Sequence, residues 1–327
     1  MQSTAERRES WTRYWAGGAL HSCATSFEGN YDDAIGCFWG EVCAKVSVSQ
    51  RVLDVATGNG ALPRLMVDVL AASGRLPLVD AIDLADIDPA WLRAVPPEVG
   101  ERVRFHSRVV AEVLPFADAS FDLVVSQFGL EYSDLARSVD ELRRVMKPGA
   151  SVALVLHHAD SLPVRLGRAE VIEIDWINQS GGILHRARRM LPYLARLATA
   201  AGMASVQRDP QAAKARAQFN EAMRELQQRA SASLAPDILV ETQTAVGELM
   251  AQVTALGAAA AEQRLEAIRD GLRLARLRQA ELVAHALDRA GVERLAAGLA
   301  RSTDAQTEVG ELRVRGELFG WSLQAFT

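Results

Sequence analysis

The segment with the clearest chemical content is Val52-Leu53-Asp54-Val55-Ala56-Thr57-Gly58-Asn59-Gly60, an apolar run that ends in a turn of small residues. Backbone approaches a ligand closely only where side chains are short, so Ala56, Gly58 and Gly60 mark a cradle at a strand's carboxyl end. A pyrophosphate favours bare amides and is repelled by a carboxylate in the turn. Here the pattern is Asp-x-Ala-x-Gly-x-Gly, and Pro63 stands at the third position of a dinucleotide fingerprint. Asp54 can instead organise a turn that faces a cationic amino-acid moiety, so the expected ligand carries an ammonium group.

Three further groupings could do chemistry. Asp80, Asp83, Asp86 and Asp88 crowd one strand end, where at most one acid is expected to act and the rest are solvated charge. His157 and His158 follow the apolar run 152–156, and histidine titrates where a base is most useful. For an acceptor that must lose a proton, His158 is the first candidate base and His157 the second; the competing reading makes both hydrogen-bonded strand-end residues. Neighbours on a strand point to opposite faces, so one metal would not be held by both, and no metal is assigned. Trp11, Tyr14 and Trp15 either dock an N-terminal helix or touch a ligand.

The elements that must position these residues change in texture along the chain. Residues 1–50 carry many large aromatics (Trp11, Tyr14, Trp15, Phe27, Tyr31, Phe38, Trp39) between glycine breaks and read as a helical cover. Residues 51–159 alternate strand and helix, with strands apolar on both faces: an α/β fold on a mostly parallel sheet. Residues 160–290 are rich in Leu and Ala and read as helices. Their apolar faces are Phe219, Met223, Leu226 and Ala230, then Leu239, Val246, Leu249, Val253 and Leu256, then Leu265, Ile268, Leu272 and Ala275. Pro236 and Gly257 separate them. RDGLRLARLR reads as a salt-bridged helix face. Residues 291–327 return to β-type alternation and are expected to close the core sheet with an antiparallel hairpin, making 160–290 a large all-helical insertion, a lid that roofs the acceptor pocket or forms a subunit interface.

Composition excludes several classes. The 327 residues are 49% hydrophobic and 24% charged, a globular balance. A net charge of -5 supplies no basic field for a phosphate backbone, so no nucleic-acid partner is expected. No window is apolar enough for a membrane span and the start is polar, so the expected location is cytoplasmic, with no membrane partner. Cys23, Cys37 and Cys43 form no C-x-x-C pair and are expected to be buried free thiols.

In several ordered motifs the chain resembles the class I S-adenosylmethionine-dependent methyltransferases, within them the small-molecule group that includes the ubiquinone/menaquinone C-methyltransferases. VLDVATGNG is similar to their first motif, LADIDPAWL to the motif after the second strand, LPFADASFDLVVSQF to the adenine-side loop and fourth strand, and ELRRVMKPGASVALV to the run into strand five. The resemblance covers residues 51–157 and implies a Rossmann-like sheet with S-adenosylmethionine as cofactor and S-adenosylhomocysteine as product. It implies that Ala56, Thr57, Gly58, Asn59 and Gly60 line the methionine moiety above Asp54, and that Asp86 holds the ribose diol. It further implies that Ile87 packs on adenine, Ala111 offers backbone atoms to the base, and Gln127 sits beside the sulfonium. The family often has an Asp where this chain has Val110, which leaves the adenine amino contact to Glu112. Trp15, Tyr31, Phe128 and Glu131 are the acceptor-side candidates. The run 126–132 lacks the Asn/Asp-Pro-Pro-Tyr/Phe signature of planar amino-nitrogen methylation.

The function so implied is methyl transfer to an oxygen, nitrogen or activated carbon of a small organic acceptor, secondary metabolites included. A homodimer through the helical segment is the assembly considered. The alternative is a catalytically degenerate methyltransferase fold that acts as a binding or assembly module through its helices. A nicotinamide oxidoreductase ranks third because of Pro63.

Overall fold

The computed structural model describes residues 3–22, 29–300 and 306–326; Cys23 and Phe27 lie outside the described residues. The chain falls into two compact units, Met1–Val164 with Glu281–Thr327, and Arg165–Ala280.

The first unit begins with α1 (Thr4–Ala16), started by a reciprocal capping box between Ser3 and Glu6, and α2 (Asp33–Lys45). The core elements follow as β1 (Arg51–Val55), α3 (Ala61–Leu70), β2 (Leu78–Asp83), the short α4 (Pro97–Gly100), β3 (Val103–Ser107), β4 (Phe121–Gln127), α5 (Leu135–Val145) and β5 (Met146–Leu156). Asp134 caps α5 by accepting from the Arg137 amide. The seven-stranded sheet runs β3-β2-β1-β4-β5-β7-β6, with β6 (Gln306–Val314) and β7 (Glu317–Phe326). β1 to β5 pair in parallel, and β7 runs antiparallel between β5 and β6, as the apolar text of LFGWSLQAF predicts. Lys147-Pro148-Gly149 lies within a bulge of β5, where pairing jumps from Phe121↔Met146 to Leu123↔Ser151.

Both faces of the sheet are covered, which explains strands without polar alternation. On one face α2 and α3 bring Ile35, Trp39, Met66 and Leu70 against Val52, Val125 and Val155. On the other, α5 contributes Val139 and Leu142 against Leu53, Val124 and Leu154. Each such side chain contributes about 1.5–3 kcal/mol on burial. Residues 291–299, expected among the closing strands, belong instead to α12 (Arg289–Leu299), capped by Asp288, whose Val292, Leu295 and Leu299 join that second core. The β alternation starts only at Gln306.

The second unit is helical. It takes in most of α6 (Leu162–Ile177), then α7 (Ile183–Arg196), α8 (Ala200–Gln207), α9 (Pro210–Ala232), α10 (Pro236–Leu256) and most of α11 (Ala258–His285). Pro236 opens α10 at its first turn, and Gly257, with φ of 78°, follows its end. All three apolar faces read from the sequence meet in one core with Ile174, Ile183 and Leu191. The Arg-rich stretch of α11 pairs with acids, Arg273 with Asp270 and Arg276 with Asp175.

Candidate functional site

A cavity of about 300 Å³ opens at the carboxyl ends of β1, β2 and β4, and its walls come from the first unit alone. Its floor is the turn after β1. Asp54, Val55, Ala56 and Thr57 line it, as does Gly129 after β4. Ala56 and Phe128, both on the wall, hold left-handed backbone at φ of 57° and 52°, conformations that non-glycine residues adopt at a cost of order 1–3 kcal/mol. A side chain at position 129 would collide with Ala56, since its Cβ would lie 2.4 Å from that of Ala56. Ser126 ties the two loops together by donating to the Val55 carbonyl at 2.7 Å and accepting from the Leu130 amide at 3.2 Å.

Asp54 is 1% exposed, and neither carboxylate oxygen has a hydrogen-bond partner among the described residues. Burial pushes its pKa up to about 8; the nearby Thr57 hydroxyl opposes this, short of hydrogen-bond geometry, and Asp83 adds to it. A buried acid left without donors is costly unless a ligand supplies them.

The four acids of the cluster fall in different places. Asp80 accepts from Arg51 Nε and meets His106 Nε2, both at 2.8 Å. Asp88 is exposed and pairs with Arg93. Asp86, the acid favoured by the sequence motif, is also displaced from this cavity. Its carboxylate is engaged by Arg108 at 2.6 and 3.1 Å, which lowers its pKa, and with Ile87 it borders a second cavity. Asp83 is the acid on the wall: the last residue of β2, it accepts from the amides of Gly58 and Ala85 at 2.8 Å each. Burial raises its pKa to about 6 against those two donors. Ile87 likewise lies on the second cavity, whereas Leu84, directly after Asp83, is in the wall of the first.

The glycines serve a different purpose from the one expected. Gly60, at φ of 80°, borders neither cavity; a Cβ there would come 2.6 Å from Phe105 Cζ. Gly58, at φ of 57°, makes room for the ring of Trp15, whose Cζ2 would lie 2.5 Å from a Cβ. Asn59 faces the second cavity and donates to the carbonyls of Trp15 and Ala19 at 2.9 and 2.7 Å. The glycine loop thus seats the N-terminal segment, and Trp15 forms part of both cavities.

Val110, Ala111 and Glu112 form another wall, and Glu112 accepts from the Asp134 amide at 2.8 Å. Gln127 reaches the cavity from the end of β4; its Oε1 accepts from Trp39 Nε1, while Nε2 is buried without a partner among the described residues. Tyr31 and Phe128 line the cavity as well. His157, His158 and Glu131 do not. The Glu131 carboxylate accepts from the His157 amide and meets its Nδ1, both at 2.8 Å, and the imidazole stacks behind Phe128 at 4.4 Å. His158 stacks on Trp321 at 4.1 Å and its Nδ1 accepts from the Asp160 amide. Both are committed at the strand end, so neither expected base reaches the cavity. Trp11, for which the sequence left docking or ligand contact open, also lines the cavity, as do His21, Arg7, Tyr132 and Arg137, which no spacing rule in the sequence selects. Cys43 is buried as expected, with its thiol pKa raised to about 11 by burial, but Cys37 is exposed on the outer face of α2.

Among the described residues no helix is long and apolar enough to cross a membrane. Residues 53–154 match the family described as methyltransferase domain. Over 126 residues the chain is 32% identical to the demethylmenaquinone methyltransferase of Chlorobaculum parvum, covering 36% of this chain and 48% of that protein. It is 26% identical to the ubiquinone/menaquinone biosynthesis C-methyltransferase UbiE of Hahella chejuensis, covering 46% and 60%. The chain therefore spans about half the length of the curated relatives it matches. A solved structure, the YcgJ protein from Bacillus, aligns with a TM-score of 0.34 and 24% identity over 41% of this chain and 58% of that one. The matching stretch runs from β1 to β5, so the sheet ordered 3-2-1-4-5-7-6 and the cavity at its carboxyl edge are built on a core that is similar to the methyltransferase domain family.

Proposed function

We propose that the protein transfers the methyl group of S-adenosylmethionine to a small organic acceptor. The observation that carries this is Asp54: a fully buried carboxylate with two unpartnered oxygens in the wall of a cavity beneath a small-residue turn. An α-ammonium group supplies the missing donors, whereas a pyrophosphate would be repelled by an unpaired acid. Asp83 stands at the strand end where a ribose diol would meet a carboxylate, Leu84 and Ala111 offer the apolar slot for a purine, and the buried Gln127 amide remains to be paired.

When bound, the cofactor supplies an electrophilic methyl group on a sulfonium. The chain's own residues then have three tasks. Asp54 holds the amino-acid end, Asp83 the ribose and Leu84 with Ala111 the purine, while Gln127 stands beside the sulfonium. The aromatic walls Trp15, Tyr31 and Phe128 exclude water and orient the acceptor, which accounts for most of the acceleration such a transfer needs. An oxygen, nitrogen or activated carbon acceptor is compatible with these walls.

Isothermal titration of the full chain with S-adenosylhomocysteine tests the reading. Binding at a single site, weakened at least about tenfold by Asp54→Asn, is the expected result. No binding would leave the fold as an assembly module and overturn the proposal.

A further inference from the structure

Trp15 stands between two cavities that meet at the glycine loop. Thr57 lines the first cavity, Asn59 lines the second, of about 900 Å³, and Gly58, between them in sequence, borders neither. What covers Gly58 is the ring of Trp15, whose Cζ2 would lie 2.5 Å from a Cβ at that position. The ring borders both cavities, so it is a partition that stands on the loop. Asn59 completes the contact by donating its side-chain amide to the carbonyls of Trp15 and Ala19. Those two oxygens offer the amide the same acceptors that the carboxylate of an amino-acid ligand would offer.

The partition is held by packing rather than by polar contacts. Trp39, Trp91 and Trp321 each donate an indole N–H, to Gln127, Asn59 and Leu287 respectively. Trp15 Nε1 has no hydrogen-bond partner among the described residues; its ring stacks on Trp11 at 5.6 Å and meets Tyr14 edge-on at 4.9 Å. The helix that carries it is tied down elsewhere, by Arg7 to Glu281 and by Thr12, whose Oγ1 accepts from the Asp86 amide at 2.9 Å. The ring can therefore leave the loop while α1 stays docked. The first cavity, at about 300 Å³, is at the small end for a single drug-sized ligand, and methyl transfer brings a cofactor and an acceptor together in one site. Moving the ring off Gly58 joins the two cavities and uncovers the loop backbone.

We propose that Trp15 is a self-inhibitory contact: it occupies the glycine loop, and the cofactor gains that loop only when the ring leaves Gly58. The inference rests on the methyl-transfer reading. Binding then shifts the chain between two states, ring on the loop and ring off it. The apparent affinity is the intrinsic one reduced by the fraction of molecules with the ring off. The released indole stays on α1 beside the joined cavity, so it still serves there to exclude water.

Calorimetry of the full chain with S-adenosylhomocysteine tests the sign of the effect. Trp15→Ala removes the partition and should bind at least about threefold more tightly than wild type, within the range of one aromatic contact. Trp15→Phe, with a smaller ring on the loop, should lie between the two, and it decides the sign where the alanine variant does not fold. In the unmutated chain labelled with 5-fluorotryptophan, the Trp15 fluorine resonance, identified by its loss in Trp15→Phe, should move on saturation with S-adenosylhomocysteine. Equal or weaker binding by the folded variant, or a Trp15 resonance that stays in place at saturation, would overturn the self-inhibitory contact and leave the ring a fixed wall. Failure of the unmutated chain to bind S-adenosylhomocysteine would instead overturn the methyl-transfer reading beneath it.

Discussion

Asp54→Asn should make the ligand-free protein more stable in alkaline solution while weakening its hold on ligand. The folded-state pKa of Asp54 is raised from 3.8 to about 8, chiefly by burial. A raised carboxyl favours folding where it is protonated in both states, below about pH 4, and that stability is lost as the pH climbs through 8. At about 1.36 kcal/mol per unit of displacement, the ligand-free native state loses up to roughly 4 kcal/mol by pH 7 and about 5–6 kcal/mol above pH 8. The amide that replaces the carboxyl in this variant would be neutral throughout; its own unpaired atoms cost about 1–3 kcal/mol at every pH. The variant should thus start slightly below wild type near pH 4.5 and end several kcal/mol above it at pH 9. Urea midpoints at fixed ionic strength across that range would read the crossing, and each kcal/mol would also appear as about 2–4 °C in thermal midpoint. S-adenosylhomocysteine at about a hundred times its dissociation constant for wild type should narrow that gap by about 1 kcal/mol or more, since wild type gains about 2.7 kcal/mol and a variant that binds tenfold more weakly about 1.4 kcal/mol. A stability difference that does not change with pH would refute the argument, because an Asp54 that ionises freely needs no ligand cation.

Asp83→Asn should weaken S-adenosylhomocysteine binding at least about tenfold in calorimetry, whereas Asp86→Asn, on the Arg108 pair, should leave it within about twofold. Gly60→Val should lower the unfolding free energy by about 2–4 kcal/mol in urea through its collision with Phe105 and its left-handed backbone; unchanged stability would contradict that packing. Replacing Arg165–Ala280 by a short linker should preserve S-adenosylhomocysteine affinity in whatever fraction folds, because every cavity wall lies in the other unit. A maleimide reagent at pH 7.5 should modify Cys37 well before Cys43, measured by peptide mass spectrometry; equal rates would contradict the burial that raises the Cys43 thiol.

What the sequence made legible follows from periodicity and from short range. The faces Leu239-Val246-Leu249-Val253 and Leu265-Leu272 repeat at helical spacing and meet in the core they describe. LFGWSLQAF reads as a buried strand and pairs with β5 from Ser151↔Phe326 to Leu156↔Trp321. Asp54 was legible because the strand and turn that place it are its own neighbours in the chain. The choice between Asp83 and Asp86 was not, since it depends on where β2 ends: pairing with β3 continues to Asp83↔Ser107, and the next turn carries Asp86 out to Arg108.

The histidines show the same limit from the other side. His157 and His158 sit where a parallel sheet gathers its reacting groups, yet each is claimed by a partner distant or local: Glu131 after β4 for one, Trp321 of β7 and the Asp160 amide for the other. His21 has no motif around it, and its place depends on two packing events far apart in sequence. Gly58 must lack a side chain for Trp15 to settle on the loop, and Asn59 must then hold the carbonyls of Trp15 and Ala19. Those contacts bring the segment after α1 to the cavity wall, so the loop glycine that the sequence marks for a ligand acts first on this chain's own N-terminal segment. His21 thus owes its place on that wall to Gly58 and Asn59, two residues that a ligand-binding reading alone would have assigned to the cofactor.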